Sequence, residues 1–249
     1  MPGYAFARSP RWILSHLAVG ALVTAMVGAG LWQLRRHDER VERNELIEQR
    51  AALAPAPLAD ALAGVEDPDE SQFTMVEVTG AYRDADTVLV ANRTVQSSPG
   101  FWVITPLDEP GGSSVLVARG FVGRSTVLDG DPSVWAAGDG DVTIVGTLQP
   151  SVSGGVLAPD RELAEINRPD VTVLSEAVGI EDLGQYVQAE SDPAALTPVP
   201  LPDLDEGPHR GYAAQWFIFS IIAVIGYPLI LRRVARDRAG TLAPDVAPI

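Results

Sequence analysis

Two stretches of this chain carry no charged side chain: Trp12–Leu34, 23 residues, and Tyr212–Leu231, 20 residues. No other feature narrows the possible folds as much. At about 1.5 Å per helical residue they reach roughly 34 and 30 Å, enough for the hydrocarbon core of a bilayer. Trp12 and Trp32 lie near the ends of the first, and Tyr212, Trp216 and Tyr227 towards the ends of the second, where amphipathic rings meet the membrane–water interface. The first stretch is longer than the roughly 7–15 apolar residues of a cleaved signal peptide, and no A-x-A site follows it. It is expected to stay as an anchor. The sequence thus predicts transmembrane helices over 12–34 and 212–231.

Charge is partitioned around these segments. Residues 1–11 hold two Arg and no acid, and 232–249 hold four Arg and two acids. Residues 35–211 hold 12 Arg against 31 Asp and Glu, a formal charge of −19. Basic tails place both ends, 1–11 and 232–249, in the cytoplasm, and a long middle section crosses largely regardless of its charge. The middle is expected as one acidic extracytoplasmic domain. Its acidity argues against a nucleic-acid partner. The lipid bilayer is one expected partner. The chain has no Cys, which excludes disulfides, thiolate metal sites and Cys nucleophiles.

Within the middle, 35–54 is rich in helix formers with Glu/Arg pairs such as Glu39–Arg43. It predicts a helical stalk continuing the first span, stopped by Pro55 and Pro57. From 73 to 190 the pattern turns to strands: 73–82, 86–93, 100–107, 113–122 and 141–149. The first two are expected to form a hairpin about Asp84–Asp86, and Gly111-Gly112 to turn the third into the fourth. The stretch 151–160 reads as loop, 171–179 as a short helix and 184–190 as a last strand. Five prolines in 191–208 predict an extended linker. The fold class is then a membrane protein with two transmembrane helices forming a hairpin. It carries a β-rich (α+β) extracytoplasmic domain, a small antiparallel barrel or sandwich.

The outer lips of the two spans resemble each other. The first ends in Trp32, Gln33, Leu34, Arg35, Arg36 and His37; the second opens with His209, Arg210, Tyr212, Gln215 and Trp216. Pro208 suits a first helical position, which puts His209 in the first turn and on one face with Tyr212 and Trp216. The positive pole of a helix favours neutral imidazole, the form that ligates metals. The plain account of these residues is interfacial anchoring, with Gln33 and Gln215 hydrogen-bonded between helices. Gly20, Thr24 and Gly28, spaced by four, offer a face on which the helices pack. The sharper account is a haem pocket: His209 on the iron, Trp32, Tyr212 and Trp216 beside the macrocycle, Arg36 and Arg210 on the propionates. His16, near the cytoplasmic end, is too far away to join such a site and is expected at a lipid head group.

These pieces together resemble the Surfeit-locus family of cytochrome c oxidase assembly factors. The resemblance rests on "GLWQLRR" (30–36), "GAY" (80–82), "VANR" (90–93), "GFWVITPL" (100–107), "VLVARGFV" (115–122) and "HRGYAAQWFIF" (209–219). It implies a chaperone of the respiratory chain, partnered by cytochrome c oxidase subunits and above all by the haem-bearing catalytic subunit. It also implies haem a as cargo, with His209 in the place of the proposed iron ligand. Where the family has "NRGW", this chain has "ARGFV" (118–122). Without an Arg/Ser-rich presequence, the expected location is a bacterial plasma membrane. The alternative is a cofactor-free scaffold that holds oxidase subunits together. An enzyme is not expected, because no His lies between Asp38 and Pro208 and triad chemistry would need one in the soluble domain. Arg93 and Arg119, both in strand patterns, are expected to pair with acids that hold the sheet, with facing a partner as the alternative.

Overall fold

The computed structural model describes residues 4–158, 163–194 and 196–241. The last two residues of the expected loop at 151–160, and the tail beyond Thr241, lie outside them. The chain divides into two compact units, one built from the helices up to Glu45 and from Leu204 onward, the other from Leu46–Asp203.

A long helix α1 (Pro10–Ala51) is followed by β1 (Ala56–Pro57), α2 (Leu58–Leu62), β2 (Met75–Tyr82), β3 (Val88–Val95), β4 (Ser98–Asp108) and β5 (Ser114–Gly123). Then come α3 (Arg124–Leu128), β6 (Asp141–Pro150), β7 (Ala164–Ile166), α4 (Val171–Val178), β8 (Gln185–Ala189) and α5 (His209–Thr241). Helices α1 and α5 are long and apolar enough to cross a membrane. The expected stalk is the unbroken continuation of α1, and α5 runs through Pro228 without interruption.

The strands close into a barrel. Around it β2 pairs with β6, β6 with β8, β8 with β5 and β5 with β4. The end of β4 then returns to β2 through Ala81↔Asp108 and Tyr82↔Leu107. Closure leaves the ring strands without free edges. Gly80 makes it possible: a Cβ there would run into the Asp108 carbonyl. Strand β3 extends the sheet beyond β4, and β7 extends it beyond β3. The interior holds Val76, Val78, Leu107, Val115, Val117, Leu148 and Val187. Alternate residues of β5, Leu116 and Ala118, face a second cluster with Ile104, Val171 and Leu174 of α4. Strand β5 is therefore covered on both sides, which is why it reads as a continuous apolar run.

Three expectations are corrected here. The sheet is not purely antiparallel, because β5–β8, β1–β2 and β3–β7 run parallel. β2 and β3 do not form a hairpin; β2 pairs with β6 from Met75↔Thr147 to Ala81↔Asp141. The Asp84–Asp86 segment is a 3-10 turn, and the Asp84 carboxylate accepts from the Ala137 and Gly138 amides instead of closing a tight turn. The Pro-rich stretch is not a free linker up to Asp203. Phe121 N–H donates to the Thr197 carbonyl, and Gln188 Nε2 to that of Val199. Leu196 and Val199 are buried. Prolines remove backbone donors but leave carbonyls, so this strap docks mainly as an acceptor.

Candidate functional site

In α1, the residues withdrawn from solvent include a regular series at Trp12, His16, Val19, Val23, Met26, Gly30, Gln33, His37, Arg40 and Asn44, with Ser15, Val27, Ala29 and Val41 flanking it. The steps alternate between four and three, an average of about 3.5, the seam of two helices wound together. In α5 the matching positions include His209, Ala213, Phe217, Ser220, Tyr227 and Leu231. The contacts run in opposite directions. Gln33 meets His209, Gly30 meets the Phe217 ring, Ser15 and His16 meet Tyr227, and the Arg238 guanidinium lies over Phe6. The two helices are thus antiparallel. The small-residue face is not the contact: Gly20 and Gly28 have nothing within 4 Å where a Cβ would sit, and Thr24 is exposed. Their spacing of four drifts off a 3.5-residue seam within two turns.

At one end of the seam, His209 Nδ1 lies 2.8 Å from Gln33 Oε1. A carbonyl oxygen only accepts, so Nδ1 carries a proton, which leaves Nε2 as the nitrogen that holds the lone pair whenever the ring is neutral. Nε2 has no hydrogen-bond partner among the described residues. The turn before α5 brings Gly207 (φ +73°) beside the ring, with the Arg40 guanidinium close by. Arg40 donates to the Asp205 carbonyl and Asn44 to that of Leu204, tying the chain entering α5 onto α1. His37 Nε2 lies 3.9 Å from Glu206, and its Nδ1 is buried without a partner.

The other predicted residues are placed differently. Gln215 is exposed and does not meet Gln33, so the expected Gln–Gln bridge is replaced by Gln33–His209. Trp32, Tyr212 and Trp216 are exposed, and Trp216 stacks edge-on with Phe219. Arg36 pairs with Glu39, and Arg210 is exposed. The lip therefore consists of one imidazole held from both helices, with aromatic rings and guanidinium groups turned outward.

His16 is half-buried and turned onto protein partners. Its Nδ1 lies 2.6 Å from the Tyr227 hydroxyl, and its Nε2 3.1 Å from the Ala7 carbonyl. The Tyr227 hydroxyl is also 3.0 Å from Ser15 Oγ. This polar cluster joins the helices at the opposite end of the seam. The heptad spacing of His16 with Val23 and Gly30 was the sequence signal for it.

In the barrel, Arg119 is fully buried and paired in a fork with Asp192, at 2.7 Å from Nε and 3.0 Å from Nη2. Its Nη1 reaches Asp84 at 3.1 Å, and its guanidinium lies 4.5 Å from the Tyr82 ring centre. Burial, reinforced by Asp192, raises the Tyr82 pKa well above its ordinary value. Arg119 thus pins the strap and the β2–β3 turn to β5. Arg93 has no such partner. It lies 4.2 Å over the Trp102 ring, half-buried, with its Nε enclosed and unbonded.

The comparisons with known proteins cover both lips and the barrel. The model of the SURF1 family matches residues 20–221. An uncharacterized SURF1-like protein of Mycobacterium tuberculosis (strain ATCC 25618 / H37Rv) is 32% identical over 259 residues, covering 98% of this chain and 94% of that protein. One from Mycobacterium bovis matches equally, at 32% over 259 residues. A SURF1-like protein of Monosiga brevicollis is 26% identical over 234 residues, covering 87% of each chain. The closed barrel and the lip that opens on His209 lie within residues 20–221, and the chain belongs to the SURF1 family.

Proposed function

We propose that this protein is a membrane-anchored, non-catalytic assembly factor for a haem-copper cytochrome c oxidase, and that its helix lip holds haem a for delivery to the catalytic subunit. Family membership supports the assembly role. The outward faces of α1 and α5, with Leu14, Leu17, Leu22, Ile221, Ile222, Ile225 and Leu229 exposed, support lipid as their surroundings. In this reading both termini are cytoplasmic and the barrel unit is extracytoplasmic, in a bacterial plasma membrane.

The observation that carries the haem reading is the Gln33–His209 hydrogen bond. A histidine ligand gains orientation and basicity when its other ring nitrogen donates to a fixed acceptor. Gln33 supplies that acceptor from the opposite helix, so His209 ligates best when the two helices are together. Exposed Trp32, Tyr212 and Trp216 offer rings to a flat apolar molecule, and Arg36 and Arg210 offer charge to its carboxylates. One weak ligand suits a carrier, which has to release what it holds.

The test is to purify the protein from cells making haem a and record its spectrum, wild type against His209→Ala and Gln33→Leu. Bound haem that vanishes in the first variant and falls severalfold in the second supports the reading. A colourless protein that still co-purifies with the oxidase subunit replaces it with the scaffold.

A further inference from the structure

We propose that Arg93, Asn92 and Arg168 form a binding site for an oxyanion, a carboxylate or phosphate group, on a ligand whose apolar part fills the adjoining cavity of the barrel unit. This site is independent of His209 and of the haem reading.

The contrast with Arg119 is the starting point. Both arginines lie on strands of one sheet, in a section of chain with more than twice as many acids as Arg. Arg119 took two carboxylates. Among the described residues Arg93 forms no hydrogen bond or ion pair, and its Nε is buried. After desolvation, the groups acting on it are Tyr186, which favours its charge, and then Arg168, of the same sign, which opposes it. Desolvation lowers the Arg93 pKa, the direction expected for a cation withdrawn from water without a counter-charge. Such a group costs stability unless something compensates it.

The surroundings are arranged around that charge. The Trp102 ring holds the guanidinium flat from one side. Asn92 is left-handed (φ 58°) at a bulge where the β3–β4 register shifts between Val90 and Arg93. Strand β7 pairs with β3 only as far as Val90, so the backbone at 91 and 92 has no ladder partner in either neighbour.

Arg93 also stands between two cavities. One, of about 300 Å³, is lined by Asn92, Trp102, Asn167, Arg168 and Tyr186. The other, of about 750 Å³, has a mixed lining in which Leu89, Phe101, Val127 and Leu163 form the apolar part and Thr94, Arg124 and Glu165 the polar part. Glu165, on the same wall, has an interaction of its own. The larger volume suits a small-molecule ligand. A charged head on Arg93 and Arg168, with an apolar body against Leu89 and Phe101, matches both.

The experiment uses the full chain in phosphatidylcholine nanodiscs, titrated calorimetrically with octanoate, octyl phosphate and octanol, with empty nanodiscs subtracted. Octanoate or octyl phosphate should bind saturably, be displaced by inorganic phosphate, and exceed octanol by about tenfold or more, the worth of a charge-assisted hydrogen bond. Arg93→Gln should weaken the anion by about tenfold or more, and exposed Arg168→Gln by severalfold. Should Arg93→Gln fail to fold, Arg168→Gln decides. Competition by phosphatidic acid added to the nanodiscs would assign the anion to a lipid, and unchanged binding would assign it to a soluble ligand; both support the site. Octanol matching octanoate, Arg variants that leave binding intact, or no saturable binding at all would overturn it.

Discussion

Replacing Arg119 by Met tests how the strap and the β2–β3 turn are held on the barrel. The substitution keeps an unbranched chain of similar reach and removes the charge. Asp192, whose side chain is also 0% exposed, would then be a carboxylate out of water without its cation. Breaking one side of such a pair costs about 3–5 kcal/mol. Asp84, with 31% of its side chain exposed, adds little, because solvent screens it. Against a typical domain stability of about 5–15 kcal/mol the loss is severe. Removing both charges, in Arg119→Met with Asp192→Leu, should recover most of it, since an apolar pair of similar volume is often neutral or better. Urea unfolding of the full chain in mild detergent, followed by near-ultraviolet circular dichroism, gives the two costs. A single-variant loss below about 1 kcal/mol, or a double variant as damaged as the sum of both singles, would refute the pinning role.

Gly80→Ala should cost about 2 kcal/mol or more in the same assay, because the added methyl meets the Asp108 carbonyl where β4 closes on β2; Gly111→Ala, with open space around it, serves as the control. Alkaline pH should destabilise the barrel with a defined sign. Tyr186 is raised by burial from 10.0 to about 12, so the folded state keeps a proton that the unfolded chain releases. Its contribution is complete below pH 10 and is lost as pH rises towards 12, and Tyr186→Phe should flatten that slope in stability measured across the window. Tyr227→Phe removes the hydroxyl shared by Ser15 and His16 and should weaken helix–helix contact by about 1 kcal/mol, read as a change in proximity between labels near the ends of α1 and α5.

The strands were legible because alternation and turn residues are local. Gly112, left-handed at φ 88°, turns β4 into β5 as its sequence announces. The β2–β6 pairing, the parallel β5–β8 pairing and the docked strap were hidden because they join residues far apart, and local periodicity carries no partner. The lip was half legible. His209 and Gln33 were singled out, but Gln33 was matched to Gln215 by mirrored spelling of the two segments. Helical phase decides otherwise, since Gln215 lies two residues past seam position Ala213 and points away. The α1 seam itself was present in the sequence. Its members mix Trp, His, Gly, Gln and Arg with Val and Met, so no apolar stripe stood out in the 12–34 segment, which is apolar nearly all round. The two arginines carried identical local signals, and only tertiary structure separated the one with counter-charges from the one without.

Lipid offers little thermodynamic preference among Val, Met, Ala and Phe when one greasy rod slides along another. The Gln33–His209 and His16–Tyr227 bonds act as two latches about 26 Å apart on α1. A slip by one heptad would unfasten both together, and no intermediate offset keeps either. The pair is therefore indexed like a key with two teeth. Whatever claims His209 without disturbing its bond to Gln33 leaves that indexing intact, and whatever draws Gln33 away releases the rods at one end first.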